Sequence, residues 1–499
     1  MAVSPADYDD MQGLLRFGYG RLTEACFLLL RVQNVAAAGA WLETAPVATA
    51  KELSSPPERA LQLAFTSSGL RKLGVDEQVL SGFSAEFLAG MTGDVNRSRR
   101  LGDTGANDPE YWEWGGEGKV PDAIAMIYAM PGMLEGWRDS LEKELQQSGF
   151  ELLQCLPTND MVGIEPFGFV DGVSQPALDW DERKNVAGDK LRYENVSALG
   201  EFVLGYENEY GKFTGSPVVS NVMAADLPEA LSATGFRDLG RNGTYMVVRQ
   251  LEQDVRGFWK FAADQSHSND LARQEFAEAM VGRKMSGETL LQPCKQTIPG
   301  VGPGADEVRL NQFTYDEDID GVSCPFGAHV RRSNPRNADF PDGTEGLLGR
   351  LVRMAGFGRK SIRDDMIAST RFHRLLRRGR EYGPKLDPAQ RLASAQPGEQ
   401  PSGLQFVCLN ANIQRQFEFV QNAWLMGGKF NGLSEESDPL LGNREPVAGC
   451  PVDTFSIPSK DGIRRRVEHV PRFVTVRGGA YFFLPGVRAL RYIARSARI

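Results

Sequence analysis

The sequence predicts an α+β protein built around antiparallel sheet. Two strand-then-helix pairings occur in the first 160 residues, a third begins at Tyr245, and no tandem repeat or low-complexity tract intervenes. The first strand is read from the apolar run ACFLLLRV, Ala25 to Val32. Asn34 then stands as an N-cap for the Ala-rich helix VAAAGAWLETA. Arg59 to Leu73 and Gln78 to Met91 carry helix-forming residues and are expected to be helical, and Asn107 to Gly118 is a polar, Gly-rich connection. A second strand is expected at Ile124 to Ala129. Pro131 opens an amphipathic helix reaching Gln147, and Gly149 to Leu156 closes the unit as another strand.

Residues 1–160 thus read as one domain and 161–499 as a second. From Trp180 to about Asn242 the chain is polar and irregular. Tyr245 to Glu252 is a strong strand leading into a helix around Trp259 and Phe261. Leu291 to Asn311 and Lys385 to Gly403 read as long loops. Leu404 to Cys408 and Phe473 to Leu484 are expected as strands, with a last helix from Val487.

Composition excludes several functions. The net charge of -9 argues against nucleic acid or an anionic membrane as partner, and EACFLLLRV is too short to span a bilayer. Six cysteines, at 26, 155, 294, 324, 408 and 450, lack CxxC spacing, so neither a zinc site nor a secreted disulfide framework is expected. With acids where a signal peptide needs basic residues, the chain is read as cytoplasmic.

Asp171 is the first residue that calls for chemistry. It lies in FGFVDGVSQP between Gly168 and Gly172, among Phe167, Phe169, Val170 and Val173, where an unpaired carboxylate costs free energy. A turn cap would also explain it. Of four histidines, His267 sits in a polar run and His373 and His469 among arginines. His329, in SCPFGAHVRRSNPR, has an apolar approach on one side and Arg331, Arg332 and Arg336 on the other. That suits a flat apolar ring bearing carboxylates, such as haem, with imidazole on the iron and arginine on the propionates. A solvated basic face explains the same run, and Cys324 competes as a thiolate ligand. RFHRLLRRGREYGP, Arg371 to Pro384, reads equally as the basic end of a helix.

Taken together, FGFVDGVSQP, CPFGAHVRRSNPR, LLRRGREYGP, GLQFVCLN and FVTVRGGAYFFLP resemble the dye-decolorizing peroxidases, haem enzymes with a GxxDG motif, here Gly168, Asp171 and Gly172. The segments run in the family's order from about residue 20 onward, and length and loops point to its longer, non-secreted bacterial form. The resemblance implies two ferredoxin-like domains, each an antiparallel sheet with peripheral helices, and one haem b per chain held mainly by the second. It implies His329 as the axial iron ligand and Asp171 and Arg377 as the distal catalytic pair. Arg336 is implied on a propionate, and Val170, Gly172, Leu404 and Phe406 against the haem, with the glycines letting the backbone come close. Asp438 is the best match for the acid behind the proximal imidazole, with Glu435 and Glu436 competing.

The activity implied is reduction of hydrogen peroxide, favoured in acid. Anthraquinone dyes, phenols and other aromatic donors are oxidised by one-electron steps through an oxoferryl intermediate. Bulky donors would need a surface aromatic relay, for which Tyr382 and Trp424 are the matching positions. A haem carrier or sensor without turnover is the rival reading, and monomer and homo-oligomer are both open.

Overall fold

The computed structural model describes residues 6–181, 195–220, 224–231, 233–267, 269–291, 310–311, 313–336, 369–447, 449–460 and 462–498. In the first half, strand β1 (Glu24–Val32) leads to helix α1 (Val35–Thr44), β2 (Arg59–Phe65), β3 (Ala123–Ala129), helix α2 (Leu134–Gln147) and β4 (Phe150–Pro157). The strands pair antiparallel in the order β4–β1–β3–β2, the ferredoxin-like pattern. The Asn34 side chain accepts the Ala37 N–H and opens α1 as the sequence suggests.

The second half repeats the plan. Strand β5 (Thr244–Gln253) is followed by α3 (Val255–Gln265), α4 (Asp270–Val281) and the short α5 (His329–Ser333). The paired pieces β6 (Leu376–Arg377) and β7 (Arg380–Tyr382) come next, then β8 (Gly403–Asn410), β9 (Val474–Leu484) and α6 (Val487–Ser496). Both β6 and β7 lie against β8, and the order β6/β7–β8–β5–β9 mirrors the first half. One contact, Phe483 opposite Phe65, joins β9 to β2 and fuses the halves into a nine-stranded sheet. Helix α6 returns to the first half, where Arg491 Nη1 donates to the Leu42 carbonyl at 2.7 Å.

Three expectations are corrected. Arg59 to Leu73 is not one helix: Arg59–Phe65 is a strand, and only Ser67–Lys72 is helical, capped by the Thr66 hydroxyl. Ala, Leu and Gln favour helix, but six consecutive buried positions and a buried Gln62 that accepts the Leu14 N–H make the segment a central strand. Gln78 to Met91 is two short helices, Glu77–Leu80 and Ala85–Ala89, the second capped by Ser84. Arg371 to Pro384 is no helix end, because Leu376–Arg377 and Arg380–Tyr382 extend along β8. The expected loop from Lys385 holds one short helix, Pro388–Leu392, and residues 292–309, including Cys294, lie outside the described residues.

Candidate active site

Period-two alternation puts Arg249, Leu251 and Gln253 of β5, Leu404 and Phe406 of β8 and Val474 and Val476 of β9 on one sheet face. Arg249 stands opposite Phe406 and Leu251 opposite Leu404. This face forms one wall of a cavity of about 1840 Å³, open solvent at its mouth included. Helix α5 with Leu425, Leu440 and Leu441 forms the other wall.

His329 opens α5 and faces this cavity. Its Nδ1 lies 3.0 Å from Asp438 Oδ2. The Asp438 carboxylate is wholly buried, and its Oδ1 accepts the N–H groups of Leu440 and Leu441 at 2.9 and 2.8 Å. Burial pushes the Asp438 carboxyl up, but the His329 charge and hydrogen bond and the Arg332 charge outweigh it and hold the group below the usual carboxylate range. An ionised Asp438 only accepts, so Nδ1 carries the proton and the Nε2 lone pair is left for a ligand. The rival acids are elsewhere: Glu435 pairs with Arg466 at 2.6 Å on the surface, and the buried Glu436 carboxyl lies against Gly327.

Asp171 arrives at the same cavity on a tight loop. Glu165 organises that loop, its carboxylate accepting the N–H groups of Phe167 and Phe169 at 3.1 and 3.0 Å. Gly168 and Gly172 have φ of +104° and +82°, which L side chains rarely adopt, and a Cβ on Gly168 would also strike the Arg391 guanidinium. Nothing described lies within 4 Å of a Cβ on Gly172. Asp171 Oδ1 accepts from Arg377 Nη1 at 2.8 Å and from the Gly172 N–H at 2.6 Å. Gln175 holds the other partner, bonding the Arg377 backbone through both its amide ends at 3.0 and 3.2 Å.

Burial pushes Asp171 up, but the Arg377 charge and hydrogen bond prevail and keep it below the usual carboxylate range. Side-chain exposures of 32% for Asp171 and 27% each for Arg377 and His329 reflect surface that opens into the cavity.

Val170, Leu404 and Phe406 line the cavity, and Gly172 is not among its lining residues. Arg336 is not among the lining residues. Its guanidinium is fully buried over the Phe313 ring, bonded to the Asn311 and Phe313 carbonyls and to Asn311 Oδ1. Tyr382 and Trp424, expected at the surface, are 5% and 8% exposed. Trp424 packs edge-on against His373 and Phe419, and its carbonyl accepts from Arg332 Nε at 2.6 Å. Cys324 is buried in a separate cluster with Phe313, Tyr315 and Ala328, away from the cavity lining.

Three further groups in the wall escaped sequence reasoning. Glu165 is pushed up to about 7, mainly by burial. Arg283 bonds Ser174 Oγ at 2.8 Å from the rim of the loop that carries Asp171. Arg249 pairs with buried Asp103 of the first half, yet its Nε and Nη1 are buried without a hydrogen-bond partner among the described residues. An arginine between valines and leucine in YMVVRQLE was the available sign of it. Such cations on an apolar wall suit the carboxylates of a haem, and a lone carboxylate-backed imidazole suits its iron. No group of three or more His, Cys, Asp and Glu side chains that would hold a bare metal ion occurs among the described residues.

No protein-family model matches the chain. Among curated proteins, it is 28% identical over 449 residues to the multifunctional dye peroxidase DyP2 of Amycolatopsis, which covers 86% of this chain and 81% of that protein. It is 26% identical over 514 residues to the dye-decolorizing peroxidase AauDyP1 of Auricularia auricula-judae, 98% of this chain and 87% of that one. A solved fungal DyP-type peroxidase from Auricularia auricula-judae superposes with a TM-score of 0.71 at 23% identity, covering 99% of this chain and 100% of the other. A dye-decolorizing peroxidase in complex with 2,6-dimethoxyphenol gives 0.70 at 24%, over 98% and 100%.

Proposed function

We propose that this chain, a homologue of the dye-decolorizing peroxidases, is an oxidoreductase that takes hydrogen peroxide as acceptor and oxidises aromatic donors in one-electron steps, using one haem b. The observation that carries this reading is a single cavity with a carboxylate-backed imidazole, His329, and an Asp171–Arg377 pair in its lining. His329 would hold the iron through Nε2, and Arg249 and Arg283 would meet the propionates. Bound there, haem supplies the redox centre at which peroxide is reduced and from which oxidising equivalents leave.

The chain's own residues do the rest. Asp171 takes the proton from the near oxygen of peroxide and delivers it to the oxygen that leaves, a transfer over a short distance. Arg377 is permanently charged and cannot be the base. It holds the peroxide and stabilises negative charge as the O–O bond opens. Because Arg377 keeps the Asp171 carboxyl low, the base stays ionised in acid, where histidine at about 6.5 would be protonated. On this reading activity is favoured at acidic pH. Leu404 and Phe406 exclude water above the reacting atoms.

We assign residues 161–499 as the haem-holding domain and 1–160 as its partner, with Leu101, Gly102 and Asp103 of the latter closing the cavity. Phenols are small enough to enter. Bulky anthraquinone dyes require a longer route, and Tyr382 and Trp424 can pass an electron inward but, being buried, cannot be the contact point themselves.

The test is the absorption spectrum of the haem-loaded protein before and after one equivalent of peroxide, followed by dye turnover. A Soret band that shifts within seconds, and catalytic loss of dye colour, are expected. Bleaching without turnover would identify a carrier or sensor.

A further inference from the structure

Away from the cavity, two thiols lie on edge strand β4 and its neighbour β1 in the first half. In the β1–β4 ladder Cys26 lies opposite Pro157 and Leu28 opposite Cys155. Cys26 and Cys155 are therefore diagonal neighbours on one face of the sheet, the face that α2 covers with Leu141 and Leu145. Cys26 is 2% exposed within the core, whereas Cys155 lies half-buried on edge strand β4. The Arg138 guanidinium of α2 is near enough for its charge to act on both sulfurs.

We propose that Cys26 and Cys155 form a peroxide-responsive dithiol that closes reversibly to a disulfide between β1 and β4. The roles follow from position. Cys155, the reachable sulfur beside a cation, is the attacking group, and buried Cys26 is the resolving one. Hydrogen bonding from Cys26 and the charge of Arg138 hold the Cys155 thiol below its usual value against the opposing effects of burial and Glu142.

The chemistry balances with hydrogen peroxide alone. The Cys155 thiolate attacks one peroxide oxygen, an S–O bond forms as the O–O bond breaks, and the hydroxide released takes up the thiol proton as water. Cys155 is then a sulfenic acid, oxidised by two electrons. The Cys26 sulfur next attacks the Cys155 sulfur. The S–S bond forms, the S–O bond breaks, and a second water leaves with the Cys26 proton.

Geometry argues that the bond is labile. Diagonal neighbours in an antiparallel pair stand about 7–8 Å apart at Cα, while disulfides span about 4.4–6.8 Å. Closure thus draws the edge strand inward, helped by the irregular register between Leu29 and Leu30. A bridge made under such strain is readily reduced again.

The experiment uses the full haem-loaded chain treated with a few equivalents of peroxide, then alkylated, digested and weighed. The expected result is a linked Cys26–Cys155 peptide pair two hydrogens lighter, with both thiols again alkylated after dithiothreitol. Full alkylation of both thiols after peroxide would overturn the proposal, and this measurement needs no variant to fold. In Cys26→Ser, Cys155 should persist as a sulfenic acid captured by dimedone. In Cys155→Ser, Cys26 should remain a free thiol, and its oxidation at the original rate would refute the assigned roles.

Discussion

His329 Nδ1 and Asp438 Oδ2 stand 3.0 Å apart, and the second carboxylate oxygen of Asp438 is bound by two backbone N–H groups. The acid therefore cannot turn away from the ring. A buried anion fixed on one imidazole nitrogen pushes electron density towards the other, which favours higher oxidation states of a metal bound there. In Asp438→Asn the ring keeps a partner of the same shape but loses the charge. The haem reduction potential should rise, and peroxidase turnover should fall by about 10–100-fold. A spectroelectrochemical titration beside steady-state rates checks both.

The Asp171–Arg377 ion pair makes a prediction about pH. Burial alone raises the Asp171 pKa, and Arg377 reverses the shift. In the wild type, the acid limb of kcat/KM should thus lie below the ordinary carboxylate value of about 3.9. Arg377→Leu removes the main opposition to burial and leaves only the Gly172 N–H and the His329 charge, so the limb should move upward as the rate falls. Asp171→Asn should remove the limb and lower the rate by about 10²–10⁴-fold. If both variants turned over peroxide normally, the pair would not be the distal machinery.

How much of this was legible beforehand depended on the range of each interaction. Asp171 and His329 announced themselves because a charge or imidazole in an apolar run is costly wherever the chain goes. Asp438 could not be separated from Glu435 and Glu436 by sequence. Those acids are adjacent in the chain, and only the fold, across 109 residues, brings one of them to the ring. The surroundings of Arg336 were hidden for the same reason. It follows His329 closely, but it sits in a turn after α5, with φ of +59°, and its guanidinium lies over the Phe313 ring. The strand at Arg59–Phe65 was hidden by residues whose local preference is helical and whose sheet neighbours, β3 and β9, lie far along the sequence.

Glu201 tests the stability side of the electrostatics. It is fully buried, accepting from Arg415 Nη2 at 2.6 Å and from the Glu209 N–H at 3.0 Å. Burial still pushes it up to about 7, against the pull of Arg415. An unfolded glutamate ionises near 4.3, so between about 4.3 and 7 the native state binds the extra proton. Stability should therefore fall as pH rises through that window, with a slope of up to about 1.4 kcal/mol per pH unit from this group. Urea unfolding across the window should show the slope, and Glu201→Gln should reduce it by this group's share, the buried Glu165 and Glu436 contributing the rest.

The last prediction concerns the seam between the two halves. Phe483 pairs with Phe65 in the contact that joins β9 to β2, and its ring packs edge-on against Phe83 at 4.9 Å with Tyr245 beyond. It is fully buried, and Gly243 backs directly onto it. Phe483→Ala would leave a cavity the surrounding strands cannot close, because both are held in register by their outer partners. A loss of about 3–5 kcal/mol is expected. If the fused sheet makes the halves one cooperative unit, denaturation should remain a single transition with an unchanged m-value and a lower midpoint. Two separate transitions in the wild type would show instead that the Phe483–Phe65 seam transmits no cooperativity.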